Sequence, residues 1–454
     1  MPTSEYFVVG ASVSTNQNGQ KYIAYLFAKD GGFIKSDGFK SLANSAYKFV
    51  HTGFQPQYMV QKIIDGSTAG NWEQLFRKDD GVMRTYWNNT NQAQDLSTEI
   101  LISPGGYAIK TGPSTGKNPK QSFIAVRDTE APFLETKATN YLENLVTTYT
   151  GDNTQSRKIT TGTDYINNKG LTWIKRVSGS GTFTACYWMN NIMGSLYSKK
   201  GSQKAEALNL IDEYLDDGFN INSQLNISAS QYVNYNFAAA PGFCDIIGFN
   251  GNLENRTINH KLGVKPGMMF IQDTYSNRAP VVYHSAIGPD YYLVNSGTSK
   301  KAYADTLFQN KEPTDTEIYF GPKNGVNGES NDVMLYVFPE YVPNVIRCGS
   351  YVGNSATNNN PVNVGFRPQF LLIKAVDNDT GGWFVIDSTR GEGKYFYLNN
   401  DDSGQFSASI VQFTDTGFNV LNAGVALNGL GQQYVYMAIA EPPSSYEAKS
   451  FNRF

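Results

Sequence analysis

A strand-like run returns five times along this chain: Tyr22 to Ala28 (YIAYLFA), Phe123 to Val126 (FIAV), Tyr232 to Phe237 (YVNYNF), Val333 to Phe338 (VMLYVF) and Tyr434 to Ala440 (YVYMAIA). The period is about 100 to 110 residues, so whatever one unit folds into, the chain builds about four times. Ahead of the last four runs comes a shorter segment with an aromatic near its start. These segments are Gly106-Tyr107-Ala108-Ile109, Gly218-Phe219-Asn220-Ile221, Ile318-Tyr319-Phe320 and Gly417-Phe418-Asn419-Val420. A Gly/Asn/Ser-rich stretch separates the members of each pair, which predicts that every unit closes with a β-hairpin.

A second marker sits earlier in the unit, as Gly53-Phe54-Gln55-Pro56, Gly263-Val264-Lys265-Pro266 and Gly365-Phe366-Arg367-Pro368, each followed by an apolar strand. Pro tolerates only the start of such a strand, where its missing N–H costs the ladder nothing. The second unit keeps the strand (Leu171 to Lys175, LTWIK) but lacks the Pro. After it each unit offers a Trp- or Tyr-bearing run: Met83 to Trp87, Ala185 to Met189, Val281 to His284 and Trp383 to Ile386; Tyr-rich strands Tyr291 to Asn295 and Tyr395 to Asn399 follow in the later two. Short strands at this density predict an all-β fold of about four tandem β-sandwich, jelly-roll-like modules set in line. The expected boundaries are a leading β-hairpin remnant over 1–30, modules at 31–130, 131–241 and 242–341, and a fourth module with a short tail at 342–454. The one helical spacing, Ser202 to Leu215, predicts a short helical insertion in the second module.

Composition narrows the function classes. Only 17% of residues are charged, the formal net charge is −3, and no Lys/Arg block occurs, so the clustered positive charge that nucleic acid requires is missing. Cys186, Cys244 and Cys348 are too few and too far apart for a disulfide framework and read as small buried hydrophobes. Neither a basic, apolar leader nor a stretch near 20 apolar residues is present, so neither secretion nor membrane insertion is expected.

Asn18 to Ala28 (NGQKYIAYLFA) resembles the ending of a tandem β-module found in tail-fibre-like virion structural proteins of tailed bacteriophages. Ala240 to Ile247 (APGFCDII) with Ile258 to Met269 (INHKLGVKPGMM) resembles that family's junction and the head of its next module, and Leu171 to Lys175 and Val435 to Glu441 fit the same pattern. The resemblance implies a virion component made in the host cytoplasm. It also implies contacts with other virion proteins, a homo-oligomer such as a trimer, and host-surface glycan as ligand; it brings no catalytic motif, metal or cofactor.

Each candidate for chemistry has a plainer reading. Gly112-Pro113-Ser114-Thr115-Gly116-Lys117 has one residue too few between its glycines for a phosphate loop, and Asn118 stands where a Mg²⁺-holding hydroxyl belongs. Asp377-Asn378-Asp379-Thr380-Gly381 and Asn399-Asn400-Asp401-Asp402 lack the acidic residue that would complete a calcium loop, and turn chemistry explains both. His51 and His260 occupy equivalent places before the Gly of two units and His284 ends a strand, so no triad is expected. Asp216-Asp217, or Glu392 with Asp387, could in principle serve a glycosidase, but nothing in their spacing selects them. Trp87, Trp188, Trp383, Tyr291 and Tyr395 are expected mainly in sandwich cores, with one or two exposed. The sequence therefore predicts no catalytic residue, no metal site and no cofactor, and leaves the ligand-binding residues unassigned. The first reading is an adhesive tail-fibre or tail-appendage protein; a non-adhesive head decoration or connector and a polysaccharide depolymerase are the alternatives.

Overall fold

The computed structural model describes residues 17–442 except 22–29, 32, 41–46, 65–70, 79–80, 88–91, 97, 111–119, 129–140, 180–185, 195–197, 201–209, 275–277, 297, 305, 330–331, 358 and 408–409. Apart from short 3₁₀ turns, the regular elements among the described residues are strands, and their pairs are antiparallel. The strands of the expected leading hairpin and the glycine-rich segment 112–117 lie outside the described residues; between those strands residues 17–21 form a turn, in which the Gln20 N–H bonds the Gln17 carbonyl (3.1 Å) and Gly19 has a φ of 76°.

Eight sheets pair into four β-sandwich modules. In each, a larger sheet places the module's last strand between a leading strand and the strand that follows the Gly turn. Thus Lys120–Arg127 lies between Ile34–Lys40 and Pro56–Ile63, Gln231–Ala238 between Val146–Thr150 and Gly170–Ser178, Asp332–Pro339 between Asp245–Asn250 and Pro266–Asp273, and Gln433–Ala440 between Ile346–Val352 and Pro368–Ala375. The smaller sheet holds the penultimate strand, for example Gly417–Val420 between Asn360–Asn363 and Val411–Thr414. Apolar residues from both sheets fill each sandwich, as Val362, Phe418 and Val420 do against Leu371, Ile373 and Tyr436 in the fourth.

The two closing runs of a module therefore do not form a hairpin; they belong to different sheets. The reason is the length and chemistry of the link. Twelve residues separate Gly417–Val420 from Gln433–Ala440, too many for a tight turn, and the link is pinned by a buried Asn. Asn428 accepts the N–H of Asn354 (2.9 Å) and donates to the carbonyl of Ala356 (3.0 Å). Asn226 and Asn327 repeat this with Asp152, Thr154, Asn252 and Glu254. All three amides are fully buried. The penultimate strand instead forms a hairpin within the smaller sheet in three modules, Ile100–Ser103 with Gly106–Lys110, Ile211–Tyr214 with Gly218–Ile221, and Val411–Thr414 with Gly417–Val420.

The helical expectation for Ser202 to Leu215 fails where it is described, since Ile211–Tyr214 is a strand. Its partner is Gly218–Ile221, and burial of Ile211 and Leu210 against Phe219 and Ile221 overrides a local periodicity that suits either element. In the first module the strand beside Pro56–Ile63 is Glu73–Lys78, with Gly81–Tyr86 one place further out. The Met83 to Trp87 run is therefore not the counterpart of Tyr187–Asn190, Val281–His284 and Phe384–Asp387, which lie directly beside the third strand. The Gly turns hold: Gly53, Gly263 and Gly365 have φ of 83°, 71° and 92°, a region that only Gly enters freely. The second module keeps this glycine as Gly162 (φ 75°), whose N–H bonds the carbonyl of Asp217 as Gly365 bonds Thr416, before a longer approach to Gly170.

The modules are not in line. The outward faces of the larger sheets of the second, third and fourth modules meet in one core, where Trp173 packs on Phe270 (5.7 Å) and Phe370 (6.4 Å), Trp188 on Tyr336 (5.8 Å), and Phe270 on Trp383 (6.0 Å). The contact is cyclic. Asn190, His284 and Asp387 occupy one equivalent position, opposite Leu171, Met268 and Phe370. Asn190 donates to the Tyr336 hydroxyl (3.1 Å), the His284 ring bonds the Tyr436 carbonyl (3.2 Å), and Asp387 accepts from the Tyr235 hydroxyl (2.8 Å). Second module to third, third to fourth and fourth back to second, the chain closes a ring of three on itself.

The first module stands outside that ring and docks through its smaller sheet. Lys48 and Asp332 form a buried ion pair, Asp332 also accepts the Phe49 N–H (3.0 Å), and Asn250 bridges to the Phe49 carbonyl (3.0 Å). Gly105 and Gly248 allow the approach, since a Cβ on either would meet Ile192 or the His51 ring at 2.2–2.3 Å.

Candidate functional site

A cleft of about 600 Å³ lies on the seam between the second and fourth modules, within the size range of small-ligand sites. Thr148, Thr150, Val177, Ser178 and Gln231 form one wall; Thr389, Arg390, Lys394, Gln405 and Phe406 form the other. The seam is stitched by the Gly404 N–H to the Val177 carbonyl (2.8 Å) and by the Lys175 ammonium to the Asn400 carbonyl (2.9 Å).

Phe406 is the unusual residue here. It ends the edge strand Gln405–Phe406, opposite Lys394, and is 72% exposed. Its ring leans over Gly393, where a Cβ would come within 2.9 Å, and the rest of its surface faces the cleft and solvent. An aromatic held flat by a glycine and left open costs hydrophobic burial, which is the pattern of a stacking platform rather than of a core residue. Thr148, Thr389, Gln231, Gln405 and Lys394 line the same cleft.

Arg390 is held rather than offered. Its guanidinium bonds Asp387 (2.5 Å) and the Tyr235 hydroxyl (3.1 Å); burial opposes its charge, but Tyr235 and Asp387 outweigh that and raise its pKa. Among the described residues no carboxylate lines the cleft, so these residues do not supply the two acids that glycoside hydrolysis uses.

The other candidates are scattered. Asp377 is taken up by Lys301 and the Gln433 N–H, Asp379 accepts the Lys300 N–H, and Asn378 closes a turn onto Thr380; Asn400 closes one onto Asp402. Asp216 and Asp217 form the turn before Gly218, with Lys158 on Asp217. Asp387 is buried under Arg390, while Glu392 pairs with Arg367. His51 ends the strand Tyr47–His51 and His260 directly follows its counterpart Arg256–Asn259, but the two lie apart: His51 at the joint of the first and third modules, His260 bonded to Thr314. Burial, with Lys48, Lys35 and Arg256 nearby, pushes the His51 pKa down to about 3. Trp188 and Trp383 are core residues, Tyr395 is half-buried, and Trp87 (56%) and Tyr291 (39%) are exposed. The three thiols are buried and unpaired, and burial pushes that of Cys186 up to about 12, the signature of an inert cysteine. Among the described residues no group of three or more His, Cys, Asp or Glu could hold a metal, and no helix is long and apolar enough to cross a membrane.

Sequence reasoning did not single out Phe406 or Gln231. Their signal was faint: Phe406 is an isolated aromatic in a Gly/Ser-rich stretch, Asp401 to Ser409, with no apolar residue alternating with it.

No curated protein matches this chain. A family model does, over residues 1–132 and 137–443, nearly the whole sequence. The break falls between the first module and the ring, and the chain belongs to the family described as a domain of unknown function, DUF7483.

Proposed function

We propose that this chain is a structural virion protein of a tailed phage, of the tail-fibre or tail-appendage class, and that it adsorbs to a host-surface glycan through the cleft between its second and fourth modules. The observation that carries the binding half is Phe406, an open aromatic in a cleft that Thr148, Thr389, Gln231, Gln405 and Lys394 also line. A sugar presents one C–H face for stacking and a rim of hydroxyls for hydrogen bonding, and this lining offers both. The virion half rests on the resemblance of the repeated strand endings and junctions to tail-fibre-like modules. Binding without cleavage fits a lining without a carboxylate among the described residues.

The test uses labelled full-length protein on susceptible and resistant host cells, with soluble host polysaccharide as competitor. Saturable binding that the polysaccharide abolishes, and that Phe406→Ala weakens at least about fivefold, supports the reading; loss of one aromatic stacking contact is worth about 1 kcal/mol or more. No binding by the folded protein would leave a decoration or connector role, and release of reducing ends would make it a depolymerase.

A further inference from the structure

The ring repeats the seam that holds the cleft. Where the second module meets the fourth, the Gly404 N–H bonds the Val177 carbonyl; where the fourth meets the third, the Lys301 N–H bonds the Val376 carbonyl (2.9 Å). The strand registers match the two seams residue by residue: Phe406 with Tyr303, Lys394 with Tyr291, Gly404 with Lys301 and Ser178 with Asp377. Both seams keep the open aromatic, Tyr303 being 62% exposed.

Charge is what separates them. The seam of the third and fourth modules neutralises itself, since Asp377 accepts the Lys301 ammonium (2.8 Å) and Asp379 pairs with Lys300 (3.7 Å). In the cleft Ser178 stands for Asp377, Gly404 for Lys301 and Lys394 for Tyr291, so the carboxylate is gone while an ammonium remains. Lys394 is exposed, and among the described residues its ammonium has no hydrogen-bond or ion-pair partner. The nearby acids are taken: Glu392 by Arg367 (2.8 Å) and Asp387 by Arg390. Lys394 and Phe406 lie directly opposite on neighbouring strands, so both side chains rise from one face, within reach of a single sugar residue.

We infer that the sugar this cleft takes is acidic, with Phe406 stacking on its ring and Lys394 holding its carboxylate, sulfate or phosphate. Lys394 is thereby the residue that sets specificity, because a charge-assisted hydrogen bond is the stronger kind. The inference rests on the glycan reading and names the class of sugar. Its test repeats the cell-binding competition with the soluble host polysaccharide in three forms: native, carboxyl-reduced, and stripped of phosphate and sulfate esters. Native polysaccharide competes for the wild type, and one of the treated forms competes at least about tenfold less well; which one tells a carboxylate from an ester. Lys394→Gln weakens binding by a similar factor and abolishes the discrimination, whereas Lys394→Arg keeps both. Added salt weakens the wild type but not Lys394→Gln. A wild type that takes all three forms alike, or a Lys394→Gln protein that still discriminates, would overturn the inference while a weakened Phe406→Ala keeps the glycan reading standing. Absence of saturable binding by the folded wild type would remove the glycan reading and this inference with it.

Discussion

Pro266–Asp273 in the third module and Pro56–Ile63 in the first hold the same place in the same topology, yet the former is buried at all eight residues while the latter buries Pro56, Met59, Val60 and Gln61 and ends half-buried. The last strands differ in the same way, Asp332–Pro339 being wholly buried and Lys120–Arg127 burying only Phe123 and Ala125. Strand order is common to both, so topology does not set this difference; the second face of the sheet does. In the ring that face is filled with Met, Phe, Trp and Tyr packed against two sister modules, whereas in the first module the same positions carry Tyr58, Val60, Phe76, Ile124 and Val126, outside the shared core of the ring. One fold thus serves both inside a three-module core and outside it, and the covering of its outward face sets how far its strands are buried.

The largest effect should come from breaking the shared face. Phe338→Ala removes a fully buried ring between the second and third modules and should cost about 3–5 kcal/mol. Val126→Ala, at the equivalent place in the first module, should cost less than about 1 kcal/mol. Urea midpoints of the two variants measure this directly, and equal costs would mean that the ring is not held by its common core. Next comes the joint. Lys48→Ala leaves the Asp332 carboxylate buried with only Asn250 and the Phe49 N–H for partners, which should cost about 3 kcal/mol. Because burial already raises the pKa of Asp332 despite Lys48, removing Lys48 should raise it further. Carbon-detected titration of that carboxyl would show it.

The buried Asn of the crossover link tests what the modules have in common rather than what divides them. Asn327→Ala removes the side-chain partner of the Asn252 N–H and of the Glu254 carbonyl, a loss of about 2 kcal/mol for the two bonds. Asn428→Ala should cost the same in the fourth module, and unequal costs would mean that the two links are built differently.

Much of this was legible in the chain. The repeat period, the Gly turns and the aromatic runs gave the strands and the four sandwiches, because alternation and turn chemistry are local. The ring was written there too, though less plainly: VMLYVF, MMFIQ and FLLIK are continuous apolar runs, whereas YMVQKII breaks at Gln61 and Lys62, and an unbroken run marks a strand covered on both faces. The exchange of closing strands between sheets was not legible, since a link of about ten residues can return to either sheet. Nor was the cleft, whose walls come from residues more than 150 positions apart, such as Gln231 and Gln405.

Acid provides the finest comparison between joint and ring. His51 at the joint and His284 in the ring are both buried and neutral, with pKa values pushed down to about 3 and about 4 by desolvation; the Tyr436 carbonyl partly offsets this at His284, while neither ring nitrogen of His51 has a hydrogen-bond partner among the described residues. Both values lie below the 6.5 of an exposed histidine, so the unfolded chain takes up the proton first. Their contribution is complete above about pH 6.5 and is lost as pH falls from there toward the folded values, at about 1.4 kcal/mol per unit for each ring. Between pH 7.5 and 5.5, His51→Phe should therefore remove about 1.4 kcal/mol of acid sensitivity from the first module and none from the ring. Iodide quenching tells the two apart, because Trp72 and Trp87 are exposed on the first module while Trp173, Trp188 and Trp383 are buried in the ring. A first module whose urea midpoint keeps its full pH dependence in the His51→Phe chain would place the acid-sensitive contact elsewhere in the joint.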